Sequence, residues 1–137
     1  MNTPKTSFVY FKEVTDQRGT LCFGQFSDQL PFVPQRVFYF HSCPEGTIRG
    51  EHAHKQSRQV HICMHGSVTV LLDDGKEKSE IVLDNPNVGF VIEPMMWHSI
   101  VMGKDACLFV LTTDVYDESD YIRDYAEFLR LSSTKPE

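Results

Sequence analysis

The chain has few cysteines, and none is paired in sequence. The four lie at 22, 43, 63 and 107, and no CxxC occurs. That spacing excludes a zinc knuckle, and the ordinary reading of each is a small buried apolar residue kept reduced. No window approaches roughly 18 uncharged apolar residues, so no helical membrane span is expected. Positive charge is also scarce: 13 Lys and Arg stand against 19 Asp and Glu, for a net charge of −6. This balance argues against a nucleic-acid coat or an anionic membrane surface as partner. It does not exclude an anionic small molecule, because a few local Arg can hold a diphosphate inside an acidic protein. Low-complexity tracts, linkers and repeats are absent. The opening Met-Asn-Thr-Pro-Lys lacks the apolar stretch of a secretory signal, so a cytoplasmic location is expected.

What remains suffices for one core. The 137 residues suit a single domain, 41% are apolar and ten are Phe. From Phe8 to Thr113 the chain reads as short β segments separated by turns. Candidate strands are Phe8–Val14, Thr20–Phe26, Arg36–His41, Gln59–Met64, Ser67–Leu72, Ser79–Leu83, Gly89–Ile92, Ser99–Met102 and Ala106–Thr113. Asp16-Gln17-Arg18-Gly19 and Asp73-Asp74-Gly75-Lys76 supply the Asp and Gly that tight turns need. Many short strands at such spacing predict an all-β sandwich or barrel. The tail differs. Tyr121, Ile122, Tyr125, Phe128 and Leu129 fall at helical spacing, which predicts a helix over Glu118–Leu131 capped by Asp117, with Ser132–Glu137 frayed.

The informative stretch is Arg49-Gly50-Glu51-His52-Ala53-His54-Lys55, followed by Gln59. Residues two apart on an extended chain share a face, so His52 and His54 project together. Gly46, Gly50 and Ala53 leave space around them, Arg49 adds a fixed charge, and His98 follows a predicted strand. Glu51 should point the other way. His41, His61 and His65 have no such company and read as structural or solvent-facing.

Gly46, His52-x-His54, Gln59 and Gly66 resemble the first cupin motif. Gly89, Pro94 and His98 resemble part of the second, with one residue too few between Pro and His and a Gly missing. Metal-binding cupins carry Glu where this chain has Gln59. A neutral amide beside three neutral imidazoles offsets none of a metal's charge, so metal-free use of the histidines is expected. Arg49-Gly50-x-His52-Ala53-His54-Lys55, Gln59, Pro94-x-x-Trp97-His98 and Tyr116-Asp117-Glu118-x-Asp120-Tyr121-Ile122-Arg123-Asp124-Tyr125 resemble more closely the WxcM-like nucleotide-sugar 3,4-ketoisomerases.

That resemblance implies a single cupin domain over 1–137, with its core at about 8–131. The implied fold is a double-stranded β-helix jelly roll with a short C-terminal helix. It implies an isomerase that moves the keto group of dTDP-4-keto-6-deoxyglucose from C4 to C3 through an enediol, with no cofactor and no metal. The implied catalytic residues are His52, His54, Arg49 and Tyr39. The implied substrate contacts are Lys55, Arg58, Gln59, Arg36, Trp97 and His98, and Arg18 is a further diphosphate candidate. The expected partners are the dTDP-sugar and a second copy, in a homodimer that exchanges the strand at Phe8-Val9-Tyr10-Phe11. A separate aminotransferase and acetyltransferase would act downstream, making a 3-amino-3,6-dideoxyhexose. Three other readings stay open on the residues alone: an RmlC-like 3,5-epimerase, a metal-dependent cupin enzyme, and a non-catalytic sugar-nucleotide-binding cupin.

Overall fold

In the segment Trp97–Met102, His98, Ile100 and Met102 are buried and the residues between them are half-buried. This is the period of two that a pleated strand with one inward face requires. The same alternation recurs in Arg36–Phe40, Lys78–Leu83 and Cys107–Thr112. The computed structural model describes residues 7–133. Its strands are β1 (Phe8–Tyr10), β2 (Lys12–Asp16), β3 (Gly19–Phe23), β4 (Arg36–Phe40), β5 (Ile48–His54), β6 (Gln59–His65), β7 (Val68–Asp73), β8 (Lys78–Leu83), β9 (Val88–Ile92), β10 (Trp97–Met102), β11 (Cys107–Thr112) and β12 (Tyr121–Ile122); helix α1 spans Tyr125–Ser133. No helix among the described residues is long and apolar enough to cross a membrane.

One five-stranded antiparallel sheet runs β1-β9-β6-β11-β4, and a second runs β12-β5-β10-β7-β8. The main core lies between them. Cys63, Phe90, Ile92, Leu108 and Val110 from the first sheet meet Val68, Val70, Leu72, Leu83, Ile100 and Met102 from the second. This is the cupin jelly roll that the motifs imply. A hairpin of β2 and β3 closes through Asp16 and Gly19, as the turn residues predict.

The expected strand Phe8–Val14 is two strands. β1 pairs with β9 of the same chain, and β2 leaves to pair with β3. The His-x-His segment is itself a strand, β5, which was not among those expected. It carries a bulge: His98 pairs with His52 and Ser99 with Gly50, leaving Glu51 without a partner in β10. Gly50 has φ +84° and Glu51 +63°. Such a bulge re-aims the strand without losing its pairing.

The helix starts later than its spacing predicts. Asp117 caps only a 3-10 turn, Glu118–Asp120, by accepting the Ser119 N–H at 3.0 Å. Tyr121 and Ile122 then pair with His54 and Ala53 as β12, so they are lost to any helix. α1 lays Phe128 onto Ala53 and Ile122, with Trp97, Met95 and Leu131 around it. Burial of the Phe128 ring is worth roughly 2–3 kcal/mol. Ser132 and Ser133 continue the helix rather than fray; residues 134–137 lie outside the described residues.

Candidate active site

Three strands bring the histidines together. β5 supplies His52 and His54, β10 supplies His98, and β6 supplies His61 and Gln59. The His52 ring centroid is 4.9 Å from those of both His54 and His98. His61 stands 5.9 Å from His98. All project between the two sheets, where β4 adds Phe38 and Phe40.

Each ring is oriented by its neighbours. Asp120 is an acceptor for His54 Nδ1 at 3.1 Å, the Gly50 carbonyl for His52 Nδ1 at 3.1 Å, and the Met96 carbonyl for His98 Nδ1 at 3.1 Å. A carbonyl or carboxylate can only accept, so these rings carry hydrogen on Nδ1. The lone pairs are therefore on Nε2. Burial first, then the neighbouring His98 and His54, pushes His52 down to about 3. Burial pushes His98 down to about 4. It also lowers His54, against the opposing pull of Asp120, and it holds His61 well below its ordinary value. The cluster is therefore neutral at pH 7.

Its wall is the segment before α1. Tyr121 sits with ring centroids 4.4 Å from His54 and 5.0 Å from His52. Arg36 donates from Nη2 to the Tyr121 hydroxyl at 3.3 Å and lies over the rings of Phe38 and Tyr116. Its Nε is buried and has no protein partner. Arg123 covers the other side of Tyr121 at 4.4 Å and pairs with Glu118. Arg49 is the register partner of Ile100, so it too points between the sheets, 4.4 Å over Phe40.

Several residues expected at the site stand elsewhere. Tyr39 is 59% exposed on the outer face of β4, stacked 5.8 Å from Phe109. The alternation that turns Arg36, Phe38 and Phe40 inward turns Tyr39 outward. Trp97 likewise faces away from its neighbour His98 and packs under α1 against Tyr125 and Phe128, not on the cavity wall. Lys55 is exposed, in a groove of about 440 Å³ with Met95, Glu127 and Leu131. Arg58 lies over Phe32 and pairs with Glu93 at 2.9 Å. Arg18 pairs with Asp16 in the β2–β3 hairpin. His41 and His65 are exposed, as expected. His61 is structural in being buried, but it belongs to the cluster.

Sequence reasoning missed His61, Asp120 and Tyr121. His61 was legible in principle, because it is two residues from Gln59 on a strand and so shares its face. Asp120 and Tyr121 come from the tail, and only pairing of β12 with β5 brings them in.

His52, His54 and His98 offer ring nitrogens within 4.8 Å of one another, a spacing at which a divalent cation could be held. Three neutral imidazoles are a set that zinc accepts in catalytic sites, but here the His54 Nε2 lone pair already accepts the Gln59 N–H. No carboxylate among the described residues joins the trio, and Gln59 turns its amide nitrogen, not its oxygen, to His54. Such a set leaves the charge of a hard divalent ion uncompensated.

The family model described as FdtA: WxcM-like, C-terminal, matches residues 4–133 of this chain. A TDP-4-oxo-6-deoxy-alpha-D-glucose-3,4-oxoisomerase of Aneurinibacillus thermoaerophilus is 41% identical over 121 residues, covering 88% of this chain and 87% of its own. The 3,4-ketoisomerase QdtA of Thermoanaerobacterium thermosaccharolyticum, solved as a histidine-to-asparagine variant with TDP-4-keto-6-deoxyglucose, superposes with a TM-score of 0.90 at 32% identity. That match covers 93% of this chain and 94% of the other. A 3,4-ketoisomerase of Helicobacter canadensis superposes with a TM-score of 0.88 at 38% identity, over 92% of this chain and 96% of its own.

Proposed function

The chain belongs to the WxcM-like, C-terminal family, and from that premise we propose that it is a TDP-sugar 3,4-ketoisomerase acting on TDP-4-keto-6-deoxyglucose. The observation that carries the reading is the orientation of His52. Its Nδ1–H is tied to the Gly50 carbonyl, so its Nε2 lone pair is held in the inter-sheet cavity, with no hydrogen bond to it among the described residues.

Isomerisation needs a base that takes the C3 proton, made acidic by the C4 ketone, and returns a proton to C4. A neutral imidazole suits both directions. His52 Nε2 takes the proton; the electron pair of the C3–H bond forms the C3=C4 double bond as the C4=O π pair moves onto oxygen, giving an enediolate with negative charge on the C4 oxygen. That oxygen gains a proton while the C3 hydroxyl loses one, and His54 passes this proton between them. Protonation at C4 completes the 3-keto sugar. Arg36 and Arg49 supply fixed positive charge at the cavity, where an oxyanion or the diphosphate would be stabilised. The dianionic diphosphate also draws the histidine pKa values back up toward neutrality on binding. The reaction uses no metal and no cofactor, and His98 packs against the His52 and His54 rings.

The product is a ketone that an aminotransferase would consume, followed by an acetyltransferase. The enzyme would act as a homodimer in the cytoplasm.

The test is proton NMR of the purified protein with dTDP-4-keto-6-deoxyglucose in deuterated buffer containing a chelator. A new 3-keto species, with exchange confined to C3 and C4, is expected. Exchange at C5 would replace the reading with epimerisation. Activity only when the chelator is omitted would replace it with metal chemistry.

A further inference from the structure

His61 is fully buried, yet it lies behind the trio rather than in it. Its Nε2 is 2.8 Å from Gln59 Oε1. Gln59 Nε2 is 3.2 Å from His54 Nε2. His54 Nδ1 is 3.1 Å from Asp120 Oδ2. Four side chains from β6, β5 and the 3-10 turn thus form one line.

The direction of that line follows from its acidic end. The Asp120 carboxylate also accepts the Gln56 N–H at 2.7 Å and the Ser57 N–H at 3.4 Å. Burial opposes its charge, but these bonds and the one to His54 outweigh burial and keep it ionised. It can only accept, so His54 carries hydrogen on Nδ1 and a lone pair on Nε2. Gln59 must then offer N–H to that lone pair, which turns its oxygen to His61. His61 must in turn carry hydrogen on Nε2 and leave Nδ1 bare. His61 Nδ1 is one of the few buried polar atoms with no protein partner. A bare acceptor is the cheaper kind of orphan, since an unpaired buried N–H is rarer than an under-used acceptor.

We infer that Gln59 and His61 are positioning residues for His54: the one-way chain His61 to Gln59 to His54 to Asp120 fixes its tautomer and ring orientation. The two histidines are then held in opposite tautomers. His54 Nε2 accepts the Gln59 N–H, so a sugar hydroxyl reaches that lone pair only by sharing or displacing this bond. Any proton that it takes there faces the Gln59 N–H, which repels it and favours its return. That suits a group that passes a proton from the C3 hydroxyl to the C4 oxygen and keeps none. Asp120, Gln59 and His61 exchange no proton in the step. The functional part of this inference rests on the ketoisomerase reading, and the tautomers do not.

Long-range proton–nitrogen correlation NMR of the full chain, labelled with nitrogen-15 in histidine, reads the tautomers directly. His54 should show Nδ1 protonated and Nε2 bare, and His61 the reverse. The opposite tautomer at either ring overturns the inference, whatever reaction the protein catalyses. His61→Phe keeps the ring and removes the donor. It should convert His54 to a mixture of tautomers and lower kcat roughly 10–100-fold with KM within about threefold, the scale expected when a functional histidine loses its orienting partners. His61→Gln restores a donor at the Nε2 position and should recover most of the loss. A His61→Phe protein with wild-type His54 signals and kcat, or no recovery in His61→Gln, overturns the positioning role. If His61→Phe fails to fold, the wild-type spectrum still decides the direction of the chain.

Discussion

Tyr121 stands opposite His54 in the β12–β5 ladder, and Arg36 donates to its hydroxyl. The Tyr121 oxygen accepts that bond, which leaves its own O–H free to donate. Tyr39, by contrast, faces away on the outside of β4. Tyr121→Phe should therefore lower kcat by about 10-fold or more, the effect of losing one donor near a developing oxyanion. Tyr39→Phe should leave kcat within about twofold. Steady-state kinetics of the pair decides between them; the reverse order would restore Tyr39 to the site.

His52→Asn removes the base and keeps a polar side chain of similar breadth. Turnover should fall by at least about 100-fold, the lower end of what general acid–base catalysis contributes. Binding of TDP, followed by calorimetry, should change little. A loss of affinity without a loss of turnover would reduce His52 to a binding contact.

The histidine cluster makes stability depend on pH in a defined direction. The folded-state values for His52 and His98, about 3 and about 4, lie below the ordinary 6.5. As the pH falls below about 6.5 the unfolded chain takes up protons that the folded chain refuses. The stability that these two rings contribute is complete above about pH 6.5. It is lost on acidification down to about pH 4 for His98 and about pH 3 for His52, at up to roughly 1.4 kcal/mol per pH unit for each ring. Urea midpoints measured from pH 7.5 to pH 4.5 should fall accordingly, and less steeply in His98→Gln. A midpoint that is flat across this range would contradict the burial of neutral rings.

Gly50 is a second lever on the site. A Cβ at Gly50 would meet the His98 carbonyl oxygen at 3.1 Å, and the backbone there has φ +84°. Gly50→Ala should cost about 1–3 kcal/mol, the usual range for a residue held in such a region. It should also lower kcat, because the same bulge aims His52. Thermal melting with a parallel activity assay checks both, and an unchanged melting curve would show that the bulge relaxes freely.

The architecture and the central histidines were legible along the chain. Period-two alternation marks β4, β8, β10 and β11, because each lies with one face on the core and the other outside. Adjacency on a strand paired His52 with His54 for the same reason. That rule also places Tyr39 opposite Phe38 and Phe40, and Trp97 opposite His98. Alternation says that neighbours point apart, but not which of them points inward, and here Tyr39 and Trp97 are the neighbours that face away from the histidines. The tail misled differently. Its apolar spacing fits a helix, yet Tyr121 and Ile122 gain more by pairing with the free edge of β5. An edge strand is invisible to any local window, since Tyr121 and Ile122 pair with His54 and Ala53, far back along the chain. Local sequence therefore determined the strands, the turns and the His-x-His face. Tertiary structure decided which side of each strand meets the cavity, that the tail closes it, and that Gln59 and His61 stand behind His54. Those outcomes depend on long-range pairing and burial, and only the folded chain brings the partners within reach.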